Sequence, residues 1–199
     1  MKCGEPAPAI DGLCGRCIKG EHVFDFARSA LLFTRTLREI IHHLKYSDRV
    51  SLANPLGGIL KKCLDREAFT GNLIVPVPLH RSRERIRGYN QAELIAARLG
   101  RPLAARLIKR RKNTPSQTGL TRNQRKRNLA GAFEVLEDVK GTVILVDDVY
   151  TTGSTMNEIA RALKRAVAER VEVLTVARVE NDFYRAEETG VPASVSSTQ

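Results

Sequence analysis

The sequence predicts a doubly wound α/β fold with a mainly parallel sheet, preceded by a small cysteine-rich module. Three observations carry this. Val143-Ile144-Leu145-Val146 is a continuous apolar run without alternation, the pattern of a parallel strand covered on both faces. Short apolar runs alternate with amphipathic stretches along the chain, the order that joins parallel strands through helices. Residues 1–22 are dense in Cys, Gly and Pro and follow neither period, so a bound metal is their natural core.

Each element has its own signal. Leu31, Leu32, Leu37, Ile40, Ile41 and Leu44 predict a strand from about Ala27 leading into an amphipathic helix, and Leu52 to Leu64 predicts another helix. Leu73-Ile74-Val75-Pro76-Val77-Pro78 is a short strand ended by prolines. An Arg-rich loop and a helix from about Asn90 to Leu99 are expected next. A strand over Leu103 to Leu107 follows, then a long basic loop over residues 109–132, then the 143–146 strand and a polar turn. The last units are a helix from Ser154 to Ala168 with Ile159, Leu163 and Val167 inward, and a strand from Val171 to Val179. The expected organisation is a module over residues 1–22, an α/β domain over 23–180 and a polar tail over 181–199, with no internal repeat.

The chain has 199 residues, and 33 Lys and Arg against 22 Asp and Glu give a net charge of +11. Such a charge attracts polyanions: nucleic acids, nucleotides or phosphorylated metabolites. With no Trp, six Phe and four Tyr, broad aromatic platforms for stacking bases are hard to build. No apolar run approaches the ~20 residues of a membrane span, and the N-terminus lacks a secretory apolar stretch. A cytoplasmic protein without membrane insertion is expected. Four cysteines then point to metal ligands or free thiols before disulfides.

Residues 143–155 read Val-Ile-Leu-Val-Asp-Asp-Val-Tyr-Thr-Thr-Gly-Ser-Thr. Ligands of parallel sheets bind beyond the carboxyl ends of strands, where Asp147 and Asp148 are expected. Thr151, Thr152, Gly153, Ser154 and Thr155 form a hydroxyl-rich turn in which Gly153 permits close backbone approach. The turn enters a helix N-terminus, whose free N–H groups favour a phosphate. A phosphate and a diol are therefore recognised side by side. Alternation along a strand points adjacent side chains to opposite faces, so the two carboxylates suit sugar hydroxyls better than one shared metal. The bland alternative is a plain strand-turn-helix in which the aspartates only cap a helix. No Walker A or Gly-x-Gly-x-x-Gly pattern competes.

These thirteen residues resemble the signature of type I phosphoribosyltransferases, which bind phosphoribosyl pyrophosphate (PRPP). Val75-Pro76-Val77-Pro78, the arginines 81, 83, 85 and 87 with Gly88-Tyr89-Asn90-Gln91, Gln117-Thr118-Gly119-Leu120 and Arg125-Lys126-Arg127-Asn128-Leu129 are similar to the ComF family of competence proteins. With the cysteine-rich start, the resemblance covers roughly residues 3 to 180. It implies a sheet of type I phosphoribosyltransferase type with a zinc-ribbon-like module. Asp147 and Asp148 would hold the ribose hydroxyls and Thr151 to Thr155 the 5′-phosphate of PRPP carried with Mg²⁺. It also leaves two functions open. One is transfer of ribosyl 5-phosphate to an unidentified acceptor with release of pyrophosphate. The other is a single-stranded DNA-binding accessory role with the DNA-uptake machinery, the PRPP pocket being regulatory.

Arg81, Arg83 and Arg85 are expected near the same edge either as pyrophosphate contacts or as a solvated basic face, and Arg87 is favoured by its place beside Gly88. Between Lys109 and Arg127 stand eight basic residues and no acidic one, too long a stretch for a passive connection. Its position resembles the mobile loop that closes over phosphoribosyltransferase reaction centres, and Arg122, Arg125 and Arg127 are its candidate pyrophosphate residues. A nucleic-acid contact is the competing reading. Cys14-Gly15-Arg16-Cys17 is half of a zinc knuckle and Cys3 a third thiolate. ComF-like proteins begin with a Cys-x-x-Cys pair, and the partner of Cys3 would fall before Met1. Either such an upstream residue or His22 completes a Zn²⁺ site. Cys63 is expected as a buried core thiol, and His42, His43 and His80 as surface or core residues. No general base is identifiable.

Overall fold

The computed structural model describes residues 2–5, 13–113 and 129–179. In chain order its elements are α1 (Gly15–Ile18), β1 (Phe26–Leu32), α2 (Arg35–Tyr46), a 3-10 turn (Val50–Leu52), α3 (Ala53–Arg66), β2 (Leu73–Pro76), α4 (Arg81–Arg87), α5 (Gln91–Ala96), β3 (Ile108–Arg110), β4 (Phe133–Val135), β5 (Thr142–Tyr150), α6 (Ser154–Arg165) and β6 (Arg170–Arg178). Four strands form one sheet in the order β1-β6-β5-β2, and every neighbouring pair in it is parallel. β3 and β4 form a separate antiparallel pair.

The continuous apolar run of β5 is explained by the layer on each side. Val143 and Leu145 enter one core with Ile159 and Leu163 of α6, while Ile144 and Val146 enter a second core with residues of α2, α3 and α5, among them Ile41, Leu60 and Ile95. All four β5 residues are fully buried, each worth about 1.5–3 kcal/mol against exposure. α2 begins where the Thr34 hydroxyl accepts the Leu37 N–H, and its Leu37, Ile41 and Leu44 stripe is buried at helical spacing. Cys63 is a buried thiol of the second core, as expected.

Four expectations are corrected. The Arg-rich segment is the helix α4, not a loop: His80 caps its start through the Ser82 N–H, and Gly88 ends it at φ 81° in the left-handed conformation that glycine adopts without strain. The strand expected over Leu103 to Leu107 is reduced to one bridge between Leu103 and Ile74. The strand there is Ile108–Arg110, so the first residues assigned to the basic loop belong to β3. Val167 is 53% exposed with φ 58°, because α6 has ended at Arg165 and the chain is already turning toward β6. Lastly, β5 extends through Asp147 and Asp148 to Tyr150, so the aspartates lie within the strand rather than past it. The remaining basic-loop residues 114–128, including Gln117-Thr118-Gly119-Leu120, Arg122, Arg125 and Arg127, and the 181–199 tail lie outside the described residues.

Candidate functional site

At the carboxyl end of the sheet β2 stops at Pro76, paired with Val146, while β5 continues to Tyr150. The uncovered edge opens a cleft of about 560 Å³ lined by Lys45, Tyr46, Arg83, Arg87, Arg110, Asp147, Asp148 and Thr155 among others. Alternation had put Asp147 and Asp148 on opposite faces, yet both open on this cleft, since β2 no longer flanks β5 beyond Val146. The Asp147 carboxylate accepts the Asp148 N–H at 2.9 Å and the Asp148 carboxylate accepts the Val149 N–H at 2.9 Å. The two side chains are thus curled against their own strand.

The Lys45 ammonium forms an ion pair with Asp148 Oδ2. Burial alone would lower the lysine pKa, but the Asp148 carboxylate, its hydrogen bond and Asp147 outweigh burial and hold it above its ordinary value. Asp147 shifts for a different reason. Burial, reinforced by the neighbouring Asp148 charge, pushes its pKa well above the usual carboxylate range. Lys45 was not singled out in the sequence. It stands about a hundred residues from the acid pair, and its one signal is a lysine at the C-terminal end of an amphipathic helix.

Downstream of the acid pair, Gly153 adopts φ 72° and as N-cap offers no side chain to α6, whose first turn is free of acidic residues; of its first N–H groups, that of Ser154 donates to the Thr152 hydroxyl at a long 3.4 Å. The α6 dipole therefore stays available to an anion. The Thr152 and Ser154 hydroxyls bond each other at 2.8 Å, tightening the turn. A Cβ at Gly153 would meet the Tyr150 ring Cζ at 2.8 Å, so both the left-handed backbone and the close approach require glycine. Thr151, Thr152, Ser154 and Thr155 are all half-buried, with Thr155 on the cleft wall.

Facing the acids stand three guanidiniums. Arg83 and Arg87 are four residues apart on α4, hence on one face, and both line the cleft. Arg81 and Arg85, on the other side of the helix, are exposed and do not. The Arg87 guanidinium donates to the Gln91 side-chain carbonyl and lies 5.2 Å over the Tyr46 ring. Arg110 is only 8% exposed, and burial, with the like charge of Arg83, lowers its pKa against the pull of Asp147. A buried guanidinium on a cleft wall is the electrostatic complement of an entering anion. His80 caps α4, and His42 and His43 lie on the exposed side of α2.

Beside the 151–155 turn, which Arg16 reaches through the Thr152 carbonyl, Cys3, Cys14, Cys17 and His22 bring their ligand atoms within 4.8 Å of one another. Cys3 and Cys14 sulfurs are 3.3 Å apart and Cys14 and Cys17 3.7 Å, close to the ~3.8 Å edge of a tetrahedron with Zn–S bonds of ~2.3 Å. Among the described residues, neither ring nitrogen of the buried His22 has a hydrogen-bond partner, and burial together with the charges of Arg16, Lys2 and Arg178 lowers its pKa to about 4. A neutral imidazole with an orphaned nitrogen beside three thiols fits a metal ion such as zinc. All four cysteines are free thiols.

Comparison with known proteins agrees with this architecture. The phosphoribosyl transferase domain family matches residues 86–194, a span that includes the acid pair, the turn and Arg87. The chain is 33% identical to "Competence protein F" of Haemophilus influenzae, over 88% of this chain and 82% of that protein. It is 35% identical to "DNA utilization protein YhgH" of Escherichia coli, over 89% and 82%, and 28% identical to "Competence protein ComFC" of Bacillus subtilis, over 88% and 76%. Among solved structures it is similar to an orotate phosphoribosyltransferase from Aeropyrum pernix, with 16% identity, a TM-score of 0.40 and coverage of 72% and 78%. No helix among the described residues is long and apolar enough to cross a membrane. From the sequence identity along nearly its whole length and the domain match over more than half of it, the chain belongs to the ComF family of phosphoribosyltransferase-fold proteins.

Proposed function

We propose that the cleft binds Mg-PRPP. The observation that supports this reading is that a carboxylate pair and three arginines line one cavity at the carboxyl edge of a parallel sheet, with Thr155, the last residue of the glycine-centred turn, on its wall. Asp147 and Asp148 accept hydrogen bonds from the ribose 2′- and 3′-hydroxyls, and the Thr151 to Thr155 turn takes the 5′-phosphate. The pyrophosphate extends toward Arg83, Arg87 and Arg110. Mg²⁺ arrives with PRPP and neutralises charge on the pyrophosphate oxygens. The N-terminal cluster holds Zn²⁺ as a structural ion, and the protein works in the cytoplasm.

In the transferase reading, an acceptor nitrogen forms a bond to ribose C1′ as the C1′–O bond to pyrophosphate breaks. Pyrophosphate leaves with the bonding electron pair, and the acceptor's proton passes to solvent. The chain contributes position and charge: the acids fix the sugar, the turn anchors its far end, and the guanidiniums stabilise the leaving anion. Incubating the protein with Mg-PRPP and each nucleobase in turn, and assaying pyrophosphate, tests transfer. Release with one acceptor establishes it, and none above the buffer rate with any acceptor removes it.

The second reading is supported by the relatives' names, competence protein F and DNA utilization protein, together with the exposed Arg81 and Arg106, which line a neighbouring groove that shares Arg110 with the cleft. In it the basic surface binds single-stranded DNA during DNA uptake and PRPP occupies the cleft as a regulator.

A further inference from the structure

The cysteine cluster reaches the phosphate turn by three separate routes. Arg16, between Cys14 and Cys17, donates from its Nη2 to the Thr152 carbonyl at 2.6 Å, and Glu21 holds the same guanidinium at 3.5 Å. Asn157, in the first turns of α6, accepts the Val23 N–H at 2.8 Å and donates to the Glu21 carbonyl at 3.0 Å. A ring series completes the set. His22 lies 4.7 Å from Phe24, Phe24 meets Tyr150 edge-on at 6.2 Å, and Tyr150 closes on Gly153. Behind that ring, Arg178 donates to the Cys3 carbonyl at 2.6 Å and lies 4.2 Å over Tyr150.

Apart from the His22 ring, none of these contacts uses a cleft-lining residue or a ligand atom of the metal cluster. A turn that holds an anion gains affinity when it is ordered before the ligand arrives, and a carbonyl fixed by a guanidinium cannot rotate with its peptide plane. The Thr152 carbonyl belongs to the peptide whose N–H is that of Gly153, so fixing one end aims the other.

We infer that Arg16 is a positioning residue that ties the metal-binding segment to the Thr152–Gly153 peptide and so pre-orders the phosphate turn. The ligand part of this inference rests on the PRPP reading above; the ordering of the turn does not.

The test uses the full chain, with metal content measured on every sample. In Arg16→Ala, amide hydrogen exchange over 151–155 should accelerate by about tenfold or more, the effect of losing one hydrogen bond to a charged group, while β5 and β6 stay protected. Affinity for Mg-PRPP and for ribose 5-phosphate should fall by about the same factor, and affinity for Mg-pyrophosphate, which lacks the 5′-phosphate, should not. Arg16→Lys, which keeps a charged donor, should recover most of both losses. Unchanged exchange over 151–155 overturns the inference, and so does acceleration spread evenly over the sheet or an equal loss for pyrophosphate. If Arg16→Ala loses its metal, it is read against the chelated wild-type chain: faster exchange at the turn than in that chain upholds the guanidinium's role, and equal exchange overturns it. A wild-type chain that binds neither PRPP nor ribose 5-phosphate defeats the PRPP reading, and the exchange result then decides the tie alone.

Discussion

Asp147 and Asp148 are neighbours in one strand with different electrostatic fates. Asp148 is buried and has Lys45 as counter-ion, whereas burial and the Asp148 charge raise the pKa of Asp147. A carboxyl with a pKa higher folded than unfolded destabilises the fold as pH rises from its unfolded pKa toward its folded one. Asp147→Asn should therefore raise the thermal midpoint at about pH 8 relative to wild type, with little gain at about pH 3, where the carboxyl is protonated in both states. An equal gain at both pH values would contradict this. Lys45→Met removes the counter-ion of a buried carboxylate and should cost about 2 kcal/mol, between exposed and fully buried pairs, measured by urea unfolding at neutral pH. The acid pair was legible in the sequence because both residues follow the apolar run directly. Lys45 and Arg110 were not, because their proximity to it comes from tertiary packing of α2 and β3, which no local spacing records.

At the scale of elements, the β5-turn-α6 unit was legible because its apolar run, glycine and helix lie within some twenty-five consecutive residues. α4 was misread for a physical reason: its sequence Arg-Ser-Arg-Glu-Arg-Ile-Arg is seven residues with no buried position, so it shows no apolar stripe and only its caps mark it. Reading it as a helix is what separates Arg83 and Arg87 from Arg81 and Arg85. Gly153→Ala tests the turn. A left-handed alanine costs about 1–2 kcal/mol and overlap with Tyr150 roughly 1–3 more, so the variant should lose stability and Mg-PRPP affinity together. Tyr150→Phe in the same chain should return part of both. The cysteine segment supplies a further test. Cys3 and Cys14 belong to the same buried cluster as Phe24, Leu145 and Tyr150, so replacing Cys14 and Cys17 by Ser should remove the metal, read by elemental analysis, and lower the thermal midpoint as well.

Over the whole molecule, the sheet separates two apolar cores, and at its carboxyl edge Lys45, Arg83, Arg87 and Arg110 stand around the acid pair. The fold class followed from periodicity because doubly covered strands and one-sided helices leave different patterns. The cleft did not, because it is assembled from α2, α4, β3 and β5, four elements spread over about a hundred residues. The two functional readings part over the basic segment. Arg110 is buried in the cleft wall, so surface binding is tested at Arg111, exposed and paired with Glu134, and at Arg125. Charge reversal at these two should flatten the plot of log affinity against log salt for single-stranded DNA by about 0.7 for each phosphate the segment no longer neutralises. An unchanged slope removes the segment from any DNA path. The central claim is the diol and phosphate site itself, and calorimetric titration of Mg-PRPP into the wild-type chain and into Asp148→Asn tests it most directly. The account predicts saturable binding to the wild type at one site, weakened in the folded variant by about 1.5–3 kcal/mol, the range for a hydrogen bond to a charged group; no heat of binding to the wild type, or full affinity in the variant, would contradict it.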